Sequence, residues 1–440
     1  MIRKILFILP LICVLASAGP LPAMPPVQRT VLPNQLVLQV SEDHSLPFVT
    51  FQLLVNAGSW RDPAGEEGLA HLTARGLLLG TSRHTVNEIN EELDFMGASL
   101  GASAARDYAD LSLRVLKKDL DRGFALFMEA LTSPTFPDEE IRREVEKTMA
   151  MVQSAEDQPE DVAQKEFQKV LFQGSPYAHP VNGTKESLPR LTREAVFRFY
   201  QSYYHPNNVI LTIVGDIGAD ELKTKLLPQL ESWPTGNIPT AKFEVKFESE
   251  KKTIKIDRAI TQANVIVGHS GVERSNPDYY ALTVMNYILG GGGFGSRLVE
   301  EIRNKRGLAY SVASFFDPGK YPGSFEVLLQ TKNASAREAI SLVFQQVERI
   351  QKDLVSEKEL ESAKKYLIGS FPMRFNTQAK MANFLSQVEY YDLGRDYPEK
   401  YASFIGSVTR EEVLRVAQKY LHPDKCILII VANLKEAGTE

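Results

Sequence analysis

Cysteine is almost absent from this chain. Its 440 residues hold two, Cys13 and Cys426, and Cys13 lies inside an apolar run at the N-terminus. A chain left with Cys426 alone has no disulfide framework. A basic excess is missing as well. Lys and Arg number 50 against 55 Asp and Glu, a net charge of -5. No basic stripe is available to neutralise phosphates, so nothing calls for nucleic acid as a partner. Long hydrophobic runs are lacking too. The N-terminal run, Ile5–Ala16, falls short of the roughly 20 apolar residues that a spanning helix needs, so stable membrane insertion is not expected. Paired histidines are also missing. His44, His71, His84, His179, His205, His269 and His422 are scattered, with no i, i+3 or i, i+4 pair to grip a metal from one helix.

What is present begins with an address. Met1–Lys4 is basic, Ile5–Ala16 is apolar, and Ala16-Ser17-Ala18 offers a small-x-small cleavage site. Residues 1–18 read as a secretory signal peptide. Pro10-Leu11-Ile12 before Cys13 is a poor lipid-attachment motif, and the segment lacks the Arg and Ser of a mitochondrial presequence. An exported chain with so little cysteine suits a bacterial periplasm.

The rest has the composition of a soluble globular protein, 43% hydrophobic and 24% charged, and its length predicts two or more domains. Segments 34–40 and 47–57 read as strands, 100–104 and 108–115 as a hairpin, and 209–214 as an apolar strand, with helices between them. A Pro-containing lead-in occupies 25–33, and 219–233 reads as a closing helix. Segment 236–252 carries Pro, Gly and mixed charge without a helical stripe, and reads as a linker. Beyond it the first half recurs. Thr192-Arg193-Glu194 returns as Thr409-Arg410-Glu411, and Tyr203, His205 and Pro206 return as Tyr420, His422 and Pro423, all at an offset of 217. The expected fold is therefore α+β, with two homologous domains over 29–235 and 253–436. Each is a mainly antiparallel sheet with helices packed on one side.

The stretch Gly68–Thr81, GLAHLTARGLLLGT, has the frame of an inverted zinc motif. H-x-x-E-H sets two histidines at i and i+4 on one helical face, with a glutamate between them as general base. Here the five positions read His71, Leu72, Thr73, Ala74 and Arg75. The first ligand is present; Ala74 replaces the base and Arg75 the second ligand.

In its wider setting, GSWRDPAGEEGLAHLTARGLLLGT resembles the signature of the pitrilysin, insulysin and mitochondrial processing peptidase superfamily. The likeness continues through SPYAHPVNGT, YYHPNNVILTIVGD and GGGGFGSRLVEEIRNKRGLAYSV, and so covers almost the whole chain after the leader. It implies two clam-like domains and the size of the short members that pair two chains around a closed chamber. It also implies a third zinc ligand on the helix through Glu144–Gln153. The aligned positions, Met149, Met151 and Val152, are not ligands, and Glu144 and Glu146 lie one or two turns away. No metal is expected in this chain. Active members place an Arg and a Tyr, seven residues apart, beside the substrate carbonyl. The matching pair is Arg303 and Tyr310, with Arg306 favoured less by spacing. A guanidinium and a phenol can both donate to a developing oxyanion.

Gly290, Gly291, Gly292 and Gly293 invite a phosphate-loop reading, but a helix precedes them and no Lys-Ser/Thr follows. The resemblance implies a loop that admits an extended substrate, and a tight helix-to-helix turn is compatible with it. The expectation is thus a catalytically incomplete subunit of a heterodimeric zinc metallopeptidase. A homologous partner with an intact motif would hold the zinc, and an unfolded peptide would be the substrate. The alternative is a peptide-binding or scaffold protein with no peptidase partner. An autonomous peptidase with substitute ligands is opposed by Ala74, which leaves no base in place.

Overall fold

The computed structural model describes residues 24–240, 245, 247 and 250–439. The expected leader at 1–18 and part of the 236–252 segment lie outside these. The first half runs β1 (Gln28–Val31), β2 (Val37–Glu42), β3 (Phe48–Val55), α1 (Leu69–Gly76), α2 (Val86–Met96), β4 (Ser99–Ala104), β5 (Ala109–Leu116), α3 (Leu120–Thr132), α4 (Asp138–Glu156), α5 (Pro159–Leu171), α6 (Arg193–Tyr203) and β6 (Val209–Gly215), then the short α7 (Ala219–Glu221) and α8 (Leu227–Glu231). The second runs β7 (Lys252–Asp257), β8 (Gln262–Ser270), α9 (Tyr279–Asn286), β9 (Ala309–Asp317), β10 (Ser324–Lys332), α10 (Ala336–Lys352), α11 (Glu357–Ser370), α12 (Gln378–Tyr390), α13 (Tyr397–Gly406), α14 (Arg410–Tyr420), β11 (Ile427–Ala432) and α15 (Leu434–Ala437).

Two sheets result. The first has the order β1-β2-β6-β3-β5-β4 and the second β7-β11-β8-β10-β9. Only β2–β6 and β7–β11 are parallel; every other pairing is antiparallel. Apart from β1, the two orders match strand for strand. The repeated Thr-Arg-Glu marks matched helix starts. The Thr192 hydroxyl accepts from the Ala195 N–H at 3.3 Å to cap α6, and Thr409 accepts from Glu412 at 3.1 Å to cap α14.

Alternation along the strands sorts the cores. Val49, Phe51, Leu53 and Val55 of β3, Leu111, Leu113 and Val115 of β5, and Leu211 and Ile213 of β6 point one way, onto α1, α3 and α6. The Phe51 ring lies 5.3 Å from Phe124 and 5.6 Å from Phe127, both on α3. In the second half Val265 and Val267 of β8, Val327 and Leu329 of β10, and Ile430 of β11 face α9, α10, α11 and α14. Each sheet therefore carries its own helices on one side.

The opposite faces are covered by exchange. α5, from the first half, lies on β8 and β11 of the second sheet, where Phe167 and Leu171 pack with Ile266, Ile427, Ile429 and Val431. Phe167 comes so close that a Cβ on Gly268 would sit 2.5 Å from its ring. α12, from the second half, lies across β3 and β6, and its Ser386 hydroxyl donates to Thr212 at 2.8 Å. Burial on both faces explains why β11 reads as a continuous apolar run.

The Pro-containing lead-in contributes a strand, since Gln28–Val31 pairs with β2; Arg29, on β1, also bonds Glu389 of α12 at 2.7 Å. One local expectation needs correction. The closing segment is not one helix. Pro228 has no N–H to donate, and the chain passes from α7 through a π turn at Leu222–Leu226 into α8.

Candidate functional site

α1 is anchored from both ends. At its start Gly68 takes a left-handed φ of 97°. The buried Asp62 carboxylate accepts from the Gly68 and Ala70 N–H groups at 2.8 and 2.7 Å, where free helix donors and the dipole favour a negative charge. Burial nevertheless pushes this carboxyl up to about 8, against those two bonds. Leu72 and Ala74 are fully buried in the first core. His71 and Arg75 stand one turn apart on the same face.

Arg75 does not stand free. Its Nε donates to Glu144 Oε1 on α4 at 3.1 Å, and its Nη1 donates to the Ala102 carbonyl on β4 at 3.4 Å. The Glu144 side chain is only 9% exposed, and Lys147 approaches its other oxygen at 3.5 Å. Burial lowers the His71 pKa; Glu144 opposes that, while Arg75 and Lys147 add to it. The expected third-ligand positions provide no donor. Met149 and Val152 pack against the first core, and Met151 projects into solvent. Among the described residues no three His, Cys, Asp or Glu side chains are grouped to hold a metal ion. His71 and Glu144 are the local ligand types, and a guanidinium is bonded to Glu144. This donor set does not fit a catalytic zinc, which takes three protein ligands and an open position.

The second-half segment is built differently. α9 runs into a π turn at Tyr287–Gly291. A Cβ on Gly290 would meet Ser314 Oγ at 2.4 Å and Ser314 N at 2.7 Å; one on Gly291 would meet Asn286 Nδ2 at 2.7 Å, and one on Gly292 the Tyr287 carbonyl at 2.6 Å. Gly293 has φ 56°. Packing and backbone conformation thus account for all four glycines. Asn286 Nδ2 donates to the Ser314 carbonyl at 3.0 Å, and the Ser314 hydroxyl donates back to Asn286 Oδ1 at 2.7 Å, tying the turn to β9.

Arg303 lies on a second π turn, Val299–Asn304. It is exposed, with its guanidinium 4.9 Å from the ring of Phe294, which is itself 71% exposed. The Gly307 N–H to Arg303 carbonyl bond and the Leu308 N–H to Ile302 carbonyl bond, both 3.0 Å, turn the chain into β9. There Ser311 pairs with Gln330 and Ala309 with Thr331, leaving Tyr310 as the extra residue of a β-bulge. Tyr310 is 56% exposed. π turns and bulges both re-aim side chains and recur at functional sites. No hydrogen bond joins Arg303 to Tyr310, and Arg306 is held by Glu301 at 3.0 Å.

β4 and β9 are edge strands of their sheets. α12 covers β3 and β6, and α5 covers β8 and β11. Ser99 and Ser103 on β4, and Ser311 and Ala313 on β9, stay exposed. An unpaired edge with small side chains can receive an added strand.

Sequence reasoning missed Phe294, the pairing of Glu144 with Arg75, and the fastening of the two halves at Asp107. Asp107 is buried at the β4–β5 turn. Its carboxylate accepts from the Tyr177 hydroxyl, from the Lys320 N–H at 2.8 Å and from the Tyr391 hydroxyl at 3.4 Å. Trp60 Nε1 and the Tyr390 hydroxyl donate to its carbonyl at 3.1 and 2.9 Å. These partners lie far apart in sequence and leave no local signal. Glu144 had a signal, since it is a carboxylate on the helix expected to face α1.

Known proteins share this architecture. Residues 37–185 match the family described as insulinase (peptidase family M16), and residues 190–367 match the peptidase M16 inactive domain. An uncharacterized zinc protease of Rickettsia bellii is 24% identical over 89% of this chain and 94% of its own. A Helicobacter pylori protein described as a non-peptidase homolog is 27% identical over 93% and 96%. A crystal structure of a peptidase M16 inactive domain from Pseudomonas fluorescens superposes with a TM-score of 0.86 at 29% identity, over 92% of this chain and 98% of that one.

Proposed function

The chain belongs to the M16 peptidase family, and on that premise we propose that it is the catalytically incomplete subunit of a heterodimeric zinc metallopeptidase in the bacterial periplasm. The carrying observation is the contrast between its two motifs. The first motif keeps His71 but has Ala74 for the base and Arg75 for the second ligand, α4 offers no third, and Arg75 is bound to Glu144. Arg303 and Tyr310 are intact, exposed and set on irregular backbone. The description of the Helicobacter relative as a non-peptidase homolog supports the inactive half of the reading.

In this reading a homologous partner carries an intact H-x-x-E-H. Its zinc supplies the activated water, and its glutamate is the base. This chain forms half of the chamber. An unfolded peptide adds to a sheet edge, held by main-chain hydrogen bonds. The turn at Gly290–Gly293 fixes Phe294 and Arg303 beside it. The Arg303 guanidinium and the Tyr310 hydroxyl donate to the carbonyl oxygen as it gains negative charge. Neither chain alone has much activity.

Pull-down from periplasmic extract should bring down a chain with H-x-x-E-H, and mixing the two should restore cleavage of an unfolded peptide. Full cleavage by the partner alone would end the reading. Peptide binding by this chain with no peptidase partner recovered would favour the scaffold alternative instead.

A further inference from the structure

We propose that the Arg75 guanidinium is a built-in cation that stands in the place of a metal, joining α1 to α4 and β4 so that this centre is closed without one. The inference concerns this chain alone and holds whether or not a partner peptidase exists. Three elements meet at the side chain: α1 provides Arg75, α4 provides Glu144 at 3.1 Å, and β4 provides the Ala102 carbonyl at 3.4 Å. Glu144 is nearly sealed from solvent, and a buried carboxylate needs a partner of opposite charge. A metal ion would meet that need with a bound cation. Arginine meets it with one attached to the chain, always charged and planar enough to serve a carboxylate and a carbonyl together.

The surroundings agree. Lys147 lies 3.5 Å from the second Glu144 oxygen, so two fixed positive charges face one carboxylate. That balance repels a free dication. His71, the one neighbouring ligand that survives on α1, cannot chelate alone. The exposed Met151 offers nothing to a metal where a carboxylate would have been expected.

Thermal unfolding of the full chain tests this. Arg75→Met, which keeps length and loses charge, should lower Tm by roughly 4 °C or more, because it leaves a buried carboxylate with only the largely exposed Lys147 as counter-charge. Adding Glu144→Gln to that variant should recover most of the loss, since the amide needs no counter-charge; this double variant also serves if Arg75→Met alone fails to fold. Wild-type Tm should be the same with zinc, with EDTA and with neither. Arg75→His should gain about one equivalent of zinc and a zinc-dependent rise in Tm, since two imidazoles at i, i+4 and Glu144 make a His2Glu set. The rise should vanish when Glu144→Gln is added. An unchanged Tm in Arg75→Met, no recovery in the double variant, a zinc shift in the wild type, or no zinc response in Arg75→His would each overturn the proposal.

Discussion

The two motif regions solve opposite problems with similar residues. Around His71–Arg75 the charges are paired within the fold. Arg75 is spent on Glu144 and a backbone carbonyl, and Ala74 is lost in the core. Around Arg303–Tyr310 the polar groups face outward, and Arg303 meets the exposed Phe294 ring. The lesson is that chemical residue type alone does not mark a working site. A side chain kept for a ligand has its hydrogen-bonding capacity left open, while one kept for packing has it filled from within the fold.

That contrast can be broken most directly through Arg303 and Tyr310. In the complex with a zinc-bearing partner, Arg303→Ala or Tyr310→Phe should lower kcat/KM about 10²–10³-fold, the scale of losing one oxyanion donor. The lone chain's stability should move by no more than about 0.5 kcal/mol, as at other exposed positions. A loss of stability with activity intact would mean that these residues pack, as Arg75 does, and the contrast would fall.

A second test compares a buried histidine with a half-buried one. His269 Nδ1 bonds the Ser270 carbonyl at 2.8 Å, and its Nε2 accepts from the His422 N–H at 3.1 Å, which fixes the neutral ring. Burial pulls its pKa down to about 4, below the ordinary 6.5. As pH falls the unfolded chain takes the proton first. Stability is therefore full above pH 6.5 and is lost as pH drops towards 4, by about 3 kcal/mol. Urea titrations at several pH values should show this, and His269→Gln should flatten the profile between those limits. His71 shifts in the same direction through burial, opposed by Glu144, so His71→Gln should flatten it less.

The glycine turn sharpens the comparison further. Gly290→Ala forces a Cβ onto Ser314 and should cost about 1–3 kcal/mol, read from denaturant midpoints. Gly295 has open space around its would-be Cβ and no positive φ. Gly295→Ala should therefore leave stability unchanged or raise it by about 0.4–1 kcal/mol. If both were equally neutral for folding yet harmful to peptide cleavage, the turn would be a substrate element first and a packing element second.

Much of this was legible in the chain. Strand alternation, the repeat at an offset of 217 and the damaged zinc motif are local patterns, and local patterns survive in one dimension. Strand ends differ by a few residues because hydrogen-bond partners set them. The reading of α4 could not choose among Met149, Met151 and Val152, and set Glu144 aside, because which side of a helix faces a neighbour depends on packing. The glycine run showed that backbone must come close to something, without naming Ser314.

The sequence by itself determined two copies of one α+β unit, a motif without its second ligand and base, and an intact Arg and Tyr seven residues apart. Those facts follow from residue identity and spacing. Only the tertiary structure decided that the halves exchange α5 and α12, that Asp107 fastens them, and that Arg75 closes on Glu144 while Arg303 stays open. Each of these joins residues distant in the chain, and such contacts are set by the packing of whole elements, which no local pattern encodes.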